Sequence, residues 1–159
     1  MIKKLIISIC ILLLTGCTTY SINDDKDIIE ISSININLEY SISSINDSVI
    51  GIVMFSEYGR PDQNNAIIGA HSGYGPNAYF NDLDNLESGD LIKLIYDGVT
   101  YKYLVSEVFE VDDTSVEVLD SSYEGLILIT CKVGDDSKRI VVKASIFDKW
   151  QIVSYNLVI

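Results

Sequence analysis

One cysteine, one histidine and one arginine are the residues of this sequence whose types and positions favour catalysis. Cys131 ends an apolar run, and Lys132, Lys138 and Arg139 follow it within eight residues, in a chain of net charge −12. Positive charge near a thiol favours the thiolate and can stabilise an oxyanion. His71 is the single histidine, and imidazole exchanges protons near neutral pH. If the chain performs Cys–His chemistry, Cys131 and His71 are the pair.

The amino terminus has the order of an export signal. Lys3 and Lys4 precede an apolar run over residues 5–14, and Leu-Thr-Gly-Cys follows, ending at Cys17. About 20 apolar residues are needed to cross a bilayer, so this run predicts a secretory signal rather than a membrane-spanning helix. The Leu-Thr-Gly-Cys ending resembles the lipobox of bacterial lipoproteins. That resemblance implies removal of residues 1–16 and lipidation of Cys17; an ordinary signal peptide and a retained signal anchor are the alternatives.

The predicted domain organisation follows from this signal. Residues 17–27 are polar and predict a flexible tether, and residues 28–159 predict one folded domain. So acidic a chain does not bind anionic headgroups by charge, and the lipid on Cys17 must therefore provide the anchor. The expected location is the outer face of the cytoplasmic membrane.

Cys131 and His71 each have a plainer interpretation. A free cysteine is most often a small buried hydrophobic residue, and a lone histidine is often a hydrogen-bonded structural one. After removal of the signal, Cys131 is the free thiol of an exported domain, where an unused thiol is a liability. This and the nearby cations favour the functional interpretation.

Composition excludes several other classes of function. The chain has 159 residues, of which 48% are hydrophobic and 21% charged, as in globular domains. Its 11 basic against 23 acidic residues argue against binding to nucleic acid. Three cysteines and one histidine argue against a disulfide framework and a zinc site. A group of carboxylates could bind Ca²⁺, but solvated acidic loops are the favoured interpretation. These residues are Glu107, Glu110, Asp112, Asp113, Asp135 and Asp136. No cofactor or metal is therefore expected.

From Ile28 onward, short apolar or alternating runs predict β-strands. The later runs span 34–38, 49–55, 66–70, 91–96, 99–109, 116–119, 126–131, 140–147 and 150–158. Asp97–Gly98 predicts a two-residue hairpin turn. The spacing of Phe80, Leu83 and Leu86 predicts a helix of one or two turns. The expected fold is therefore mainly β, an eight-stranded β-barrel with one or two short helices.

Four segments together resemble the sortase family, and one of them, residues 79–90, is similar to the helix and turn before the fourth sortase strand. Ala66-Ile-Ile-Gly-Ala-His-Ser-Gly is similar to the segment that ends in the sortase catalytic histidine. Leu128-Ile-Thr-Cys matches the signature around the catalytic cysteine, and Arg139-Ile-Val-Val-Lys-Ala resembles the strand with the essential arginine. The similarity extends over residues 32–148. The chain departs from many sortases in its predicted lipid anchor and in the short connection between Cys131 and Arg139.

The resemblance implies a cysteine transpeptidase that cleaves a sorting motif, often Leu-Pro-x-Thr-Gly, and transfers the acyl group to an amine. Cys131 is then the nucleophile, His71 the acid and base, and Arg139 the stabiliser of oxyanion and substrate. Thr130, Tyr74 and Tyr79 are candidates for substrate binding. Expected partners are surface proteins with the motif and an amine acceptor, such as a cell-wall peptide or a pilin lysine.

Other functions remain open at this point. A peptidase of the same fold would use water in place of the amine. A non-catalytic surface lipoprotein would use the barrel only to bind a partner, and a lipocalin-like carrier would need a hollow barrel. The last two give no role to the order of His71, Cys131 and Arg139.

Overall fold

The computed structural model describes residues 26–151. The predicted signal peptide 1–16, the predicted lipidation site Cys17 and the tether up to residue 25 lie outside these described residues. Within them, no helix combines the length and hydropathy that a membrane span requires.

Eight strands form a closed barrel, which confirms the predicted fold class. They are β1 (Ile28–Ile31), β2 (Ile36–Ser43), β3 (Ile52–Phe55), β4 (Asn65–Ala70), β5 (Leu91–Tyr96), β6 (Val99–Asp112), β7 (Gly125–Lys132) and β8 (Asp135–Gln151). Around the barrel the order is β1-β2-β3-β4-β7-β8-β6-β5, and β1 pairs with β5 to close it. The β2–β3 and β4–β7 pairs are parallel, and the other pairs are antiparallel.

Two tight hairpins connect consecutive antiparallel strands. The predicted Asp97–Gly98 turn joins β5 to β6, with φ values of 49° and 69°. Positive φ at both positions matches the twist of the flanking strands. Between β7 and β8, Lys132 pairs with Asp135, so only Val133 and Gly134 form the turn. The second hairpin holds the ends of β7 and β8 side by side.

Strand β7 is covered on both of its faces. Side chains alternate along a strand, and Leu126 and Leu128 point into the barrel core while Ile127 and Ile129 belong to a second apolar cluster on the outside. The loop from residue 113 to 124 and the loop from residue 44 to 51 supply Leu119 and other apolar side chains to that outer cluster. This outer cluster forms the surroundings of Cys131.

Two local predictions differ from the structure in the kind of element that forms. The predicted helix near Phe80 is a single 3-10 turn at Leu83–Asn85, and the predicted strand 116–119 is a 3-10 turn at Val116–Val118. Phe80, Leu83 and Leu86 are buried, as a helical spacing requires. The Asp and Asn residues between them favour turns, and the segment is too short to nucleate an α-helix.

The last predicted strand is not separate within the described residues. Strand β8 is 17 residues long and includes the first two residues of the predicted strand 150–158. The remainder of that prediction lies outside the described residues. The length of β8 follows from its two neighbours, because it pairs with β7 and with nearly all of β6.

Candidate active site

Cys131 and Arg139 lie opposite each other across the β7–β8 hairpin. They are register partners, with a shift in the ladder directly after Cys131. Side chains of opposed residues leave an antiparallel sheet on the same face. Cys131 has the same orientation along β7 as Ile127 and Ile129, so this face is the outer one. The hairpin therefore places a thiol and a guanidinium on the outside of the barrel.

His71 reaches the same place through a different kind of pairing. It directly follows β4, whose parallel register with β7 ends at Gly69 and Ile129. Two side-chain hydrogen bonds continue the contact between the strand ends. Thr130 Oγ1 donates to the Ala70 carbonyl at 2.8 Å, and Ser72 Oγ donates to the Cys131 carbonyl. These bonds hold the backbone on both sides of His71 against the end of β7.

A groove on the outer face joins all three side chains. It has a volume of about 270 Å³, and His71, Cys131 and Arg139 all line it. Ile45 and Val49 form one wall, from the loop between β2 and β3. The loop between β6 and β7 lines the groove with Val116, Val118 and Leu119 and also with Asp113 and Ser115. The lining is therefore mostly apolar, with a few polar groups that could orient a bound ligand.

The floor of the groove depends on one glycine. A Cβ atom at Gly69 would lie 2.6 Å from Cζ of Phe55, which is far closer than a carbon–carbon contact allows. The absence of a side chain therefore lets the Phe55 ring lie against β4. Phe55 and Gly69 both line the groove, so this close approach determines its depth.

The thiol and the imidazole are both accessible. Cys131 is half-buried and free, and His71 is exposed. Nε2 of His71 lies 2.9 Å from the Val49 carbonyl oxygen. Since a carbonyl only accepts hydrogen bonds, Nε2 must carry the proton of this bond. The other ring nitrogen, Nδ1, is then the one left to exchange protons with a bound substrate.

Comparison with known proteins identifies the domain. A family model for the sortase domain matches residues 29–147. The chain belongs to the sortase family. Sortase D of Bacillus subtilis (strain 168) is 31% identical over 122 residues, which are 72% of this chain and 60% of that protein. The chain thus spans three fifths of the length of this relative.

Solved sortase structures share the fold. A lid mutant of sortase A from Corynebacterium diphtheriae is 24% identical, with a TM-score of 0.69 over 78% of this chain and 70% of that one. Sortase C-1 from Actinomyces oris is 22% identical, with a TM-score of 0.70 over 79% and 76%. At these identities the likeness concerns the barrel alone. It agrees with the mainly β architecture expected from the sequence.

Fewer unpaired cations lie near Cys131 than the sequence predicts. Lys132 forms an ion pair with Glu110, and Lys138 forms one with Asp112, both across to β6. The hydrogen bond to Asp112 raises the pKa of Lys138. Both ammonium groups are therefore neutralised by partners, and the cation left for the groove is Arg139.

Arg139 is held by its own hairpin. Its Nη1 donates to the carbonyls of Asp136 and Lys138, at 2.8 and 2.9 Å. Within residues 26–151, no carboxylate forms an ion pair with its guanidinium. A guanidinium carries five N–H donors, so most of them remain available for an anionic or carbonyl oxygen in the groove.

The three candidates for substrate binding occupy different environments. Thr130 is buried, and its hydroxyl is engaged with Ala70, which indicates a positioning role. Tyr74 is 98% exposed and borders a shallow hollow beside Cys131. Tyr79 packs partly against the barrel core and lines a different hollow, with Ile52. The structure brings only Tyr74 near the thiol on the surface, and the contacts with substrate remain predictions.

Ser72 is a residue that sequence reasoning missed. Its hydroxyl bond to the Cys131 carbonyl joins the segment of His71 directly to that of Cys131. The available signal was a hydroxyl residue immediately after the histidine, which is too common to be informative without the register of β4 and β7.

Among the described residues no three His, Cys, Asp or Glu side chains group as metal ligands. The acidic residues considered for Ca²⁺ include Glu110 and Asp112, which form the ion pairs with Lys132 and Lys138.

Proposed function

We propose that this sortase-family chain is a cysteine transpeptidase that forms a thioester on Cys131 and transfers the acyl group to an amine. The observation that carries the proposal is the convergence of Cys131, His71 and Arg139 on one apolar groove. Each supplies a group that acyl transfer needs: a nucleophile, a proton carrier and a cation for the oxyanion.

The reaction proceeds in two stages. The Cys131 thiolate attacks the scissile carbonyl, and the resulting oxyanion is stabilised by Arg139. His71 then gives a proton to the departing amine, the C–N bond breaks, and a thioester remains. An incoming amine attacks this thioester and gives its proton to neutral His71, while the thiolate departs. The products are a new amide and the starting enzyme.

The substrate is an exported protein with a sorting motif of the Leu-Pro-x-Thr-Gly kind, and the acceptor is an amine at the cell surface, such as a cell-wall peptide or a pilin lysine. The apolar walls of the groove suit the aliphatic part of such a motif. Residues 1–16 act as the signal peptide, and lipid on Cys17 holds the enzyme at the outer face of the membrane. Incorporation of a labelled fatty acid, abolished by Cys17→Ser, tests this anchor.

The activity is tested with the full chain in detergent, a library of Leu-Pro-x-x-Gly peptides and several amines. Mass spectrometry detects the thioester on Cys131 and the amine-joined product. Joined product should form with the wild type and disappear in Cys131→Ala, His71→Ala and Arg139→Ala. Cleavage without joining would instead indicate a peptidase that uses water. A folded protein whose thiol resists small alkylating reagents would contradict the proposal.

A further inference from the structure

The hydrogen bond from His71 to Val49 has a specific origin. Val49 belongs to the loop from residue 44 to 51, which crosses between the parallel strands β2 and β3. The same loop supplies one wall of the groove. A backbone carbonyl on a loop orients a side chain only if the loop itself is held in place.

Glu57 holds this loop. It lies just beyond β3, and its carboxylate accepts hydrogen bonds from the Ser44 hydroxyl and from the Ile45 N–H, the latter at 3.2 Å. The pKa of the Glu57 carboxyl is lowered, mainly by the hydrogen bond from the Ser44 hydroxyl. The backbone N–H groups of Glu57 and Ile45 lower it further. Glu57 is therefore ionised at neutral pH and able to accept both bonds.

Asp47 tightens the first half of the loop from within. Its carboxylate accepts from the Ser43 hydroxyl at 2.7 Å and from the Ser44 N–H at 3.1 Å. Glu57, by contrast, joins the loop to the turn that follows β3. The sequence separation of 12 residues between Ile45 and Glu57 makes it a tertiary anchor rather than a local turn.

We propose that Glu57 is a positioning residue for catalysis, because it fixes the loop whose Val49 carbonyl holds Nε2–H of His71 and so directs Nδ1 toward the substrate. This inference rests on the proposed transpeptidase. In the protonated ring, Nε2–H stays bonded to Val49 and Nδ1–H is given to the departing amine. The lone pair on Nδ1 then accepts the proton of the incoming amine.

A first test reads the imidazole without any activity. Because His71 is the single histidine, ¹⁵N-histidine labelling of the full chain in detergent gives one set of ring signals. The wild type should show an Nε2-bound proton protected from exchange with water, and Glu57→Gln and Ser44→Ala should lose that protection. Glu87→Gln, an exposed carboxylate outside the groove, is the matched control and should retain it. An unprotected ring proton in the wild type would overturn the proposal.

A second test separates positioning of His71 from damage to the groove. A peptide amide needs a proton on its leaving group, whereas the corresponding thioester, whose leaving thiolate is stable, does not. Glu57→Gln should lower cleavage of the amide by at least about tenfold more than that of the thioester, as His71→Ala should. Equal loss on both substrates would overturn the proposal. If no peptide reacts but protection of the ring proton depends on Glu57, the proposed function fails and the positioning of His71 stands.

Discussion

Cys131 and Arg139 are opposed residues of the β7–β8 ladder, and their side chains leave the sheet on the same face. Opposed Cβ atoms in such ladders are about 5 Å apart. The separation is therefore determined by backbone hydrogen bonds rather than by loop packing. This rigidity fits the stabilisation of an oxyanion, which requires donors already in place when charge develops.

Arg139→Lys tests whether the shape of this cation matters. Nη1 of Arg139 is occupied by two hairpin carbonyls while other donors remain for the groove, and a lysine cannot divide its single ammonium in this way. We expect thioester formation to fall about 10²- to 10³-fold, as for loss of an oxyanion donor. Single-turnover mass spectrometry provides the rate. Wild-type rates in Arg139→Lys would show that charge alone suffices.

Thr130→Val tests the bond that holds the ends of β4 and β7 together. The substitution preserves volume but leaves the Ala70 carbonyl without its buried partner, so the free energy of unfolding should fall by about 1–3 kcal/mol. Urea unfolding measures this loss. Thr114→Val, at an exposed residue, is the control and should change stability by less than about 0.5 kcal/mol. An unchanged midpoint in Thr130→Val would contradict this account.

Ser72→Ala removes the other bond between these segments. It should reduce the rate of amide cleavage while leaving Cys131 reactive toward small alkylating reagents, because the hydroxyl bonds only the backbone of Cys131. Rates of alkylation and of peptide cleavage, measured on the same sample, distinguish the two effects. A parallel decrease in both rates would assign Ser72 to the thiol rather than to the strand contact.

Gly69→Ala should displace the Phe55 ring that lines the groove. The new methyl group would collide with the Phe55 ring, and overpacking of this kind costs about 1–3 kcal/mol. Relief by rotation of Phe55 would move the ring into the groove and raise KM for peptides. Unaltered peptide affinity in Gly69→Ala would argue against a groove floor formed by Phe55.

Glu30→Gln addresses the seam where β1 meets β5. Glu30 and Lys93 are register partners joined by an ion pair of 2.8 Å, and the hydrogen bond from Lys93 lowers the pKa of Glu30. A lowered folded-state pKa adds stability above the ordinary range of Glu and loses it as pH falls through the lowered value. At neutral pH the wild type should therefore have a higher Tm than Glu30→Gln. The corresponding difference in free energy of unfolding should be at most about 1 kcal/mol. The two curves should converge in acid; a difference that persists there would refute an electrostatic cause.

The parts of the fold that local patterns determine could be predicted from the sequence. The alternation along β7, the Asp97–Gly98 turn and the apolar run of β4 each depend on neighbouring residues only. The 3-10 turn at Val116–Val118 could not be predicted as such, because Val118 packs against the outer cluster without any strand pairing. The hydrogen bonds of Glu57 and Ser72 depend on tertiary contacts between distant segments, which spacing alone does not reveal.

The parallel pairing of β4 with β7 also has a consequence for how the site forms. Cys131 and Arg139 are joined by a hairpin with a two-residue turn, whereas Asn65 pairs with Gly125, 60 residues along the chain. Local hairpins close within microseconds, and distant parallel pairs form late in folding. We therefore expect the folding chain to bring its thiol and guanidinium together early and to position its imidazole last. A partly folded chain would then have the proposed nucleophile in place before the proposed proton carrier.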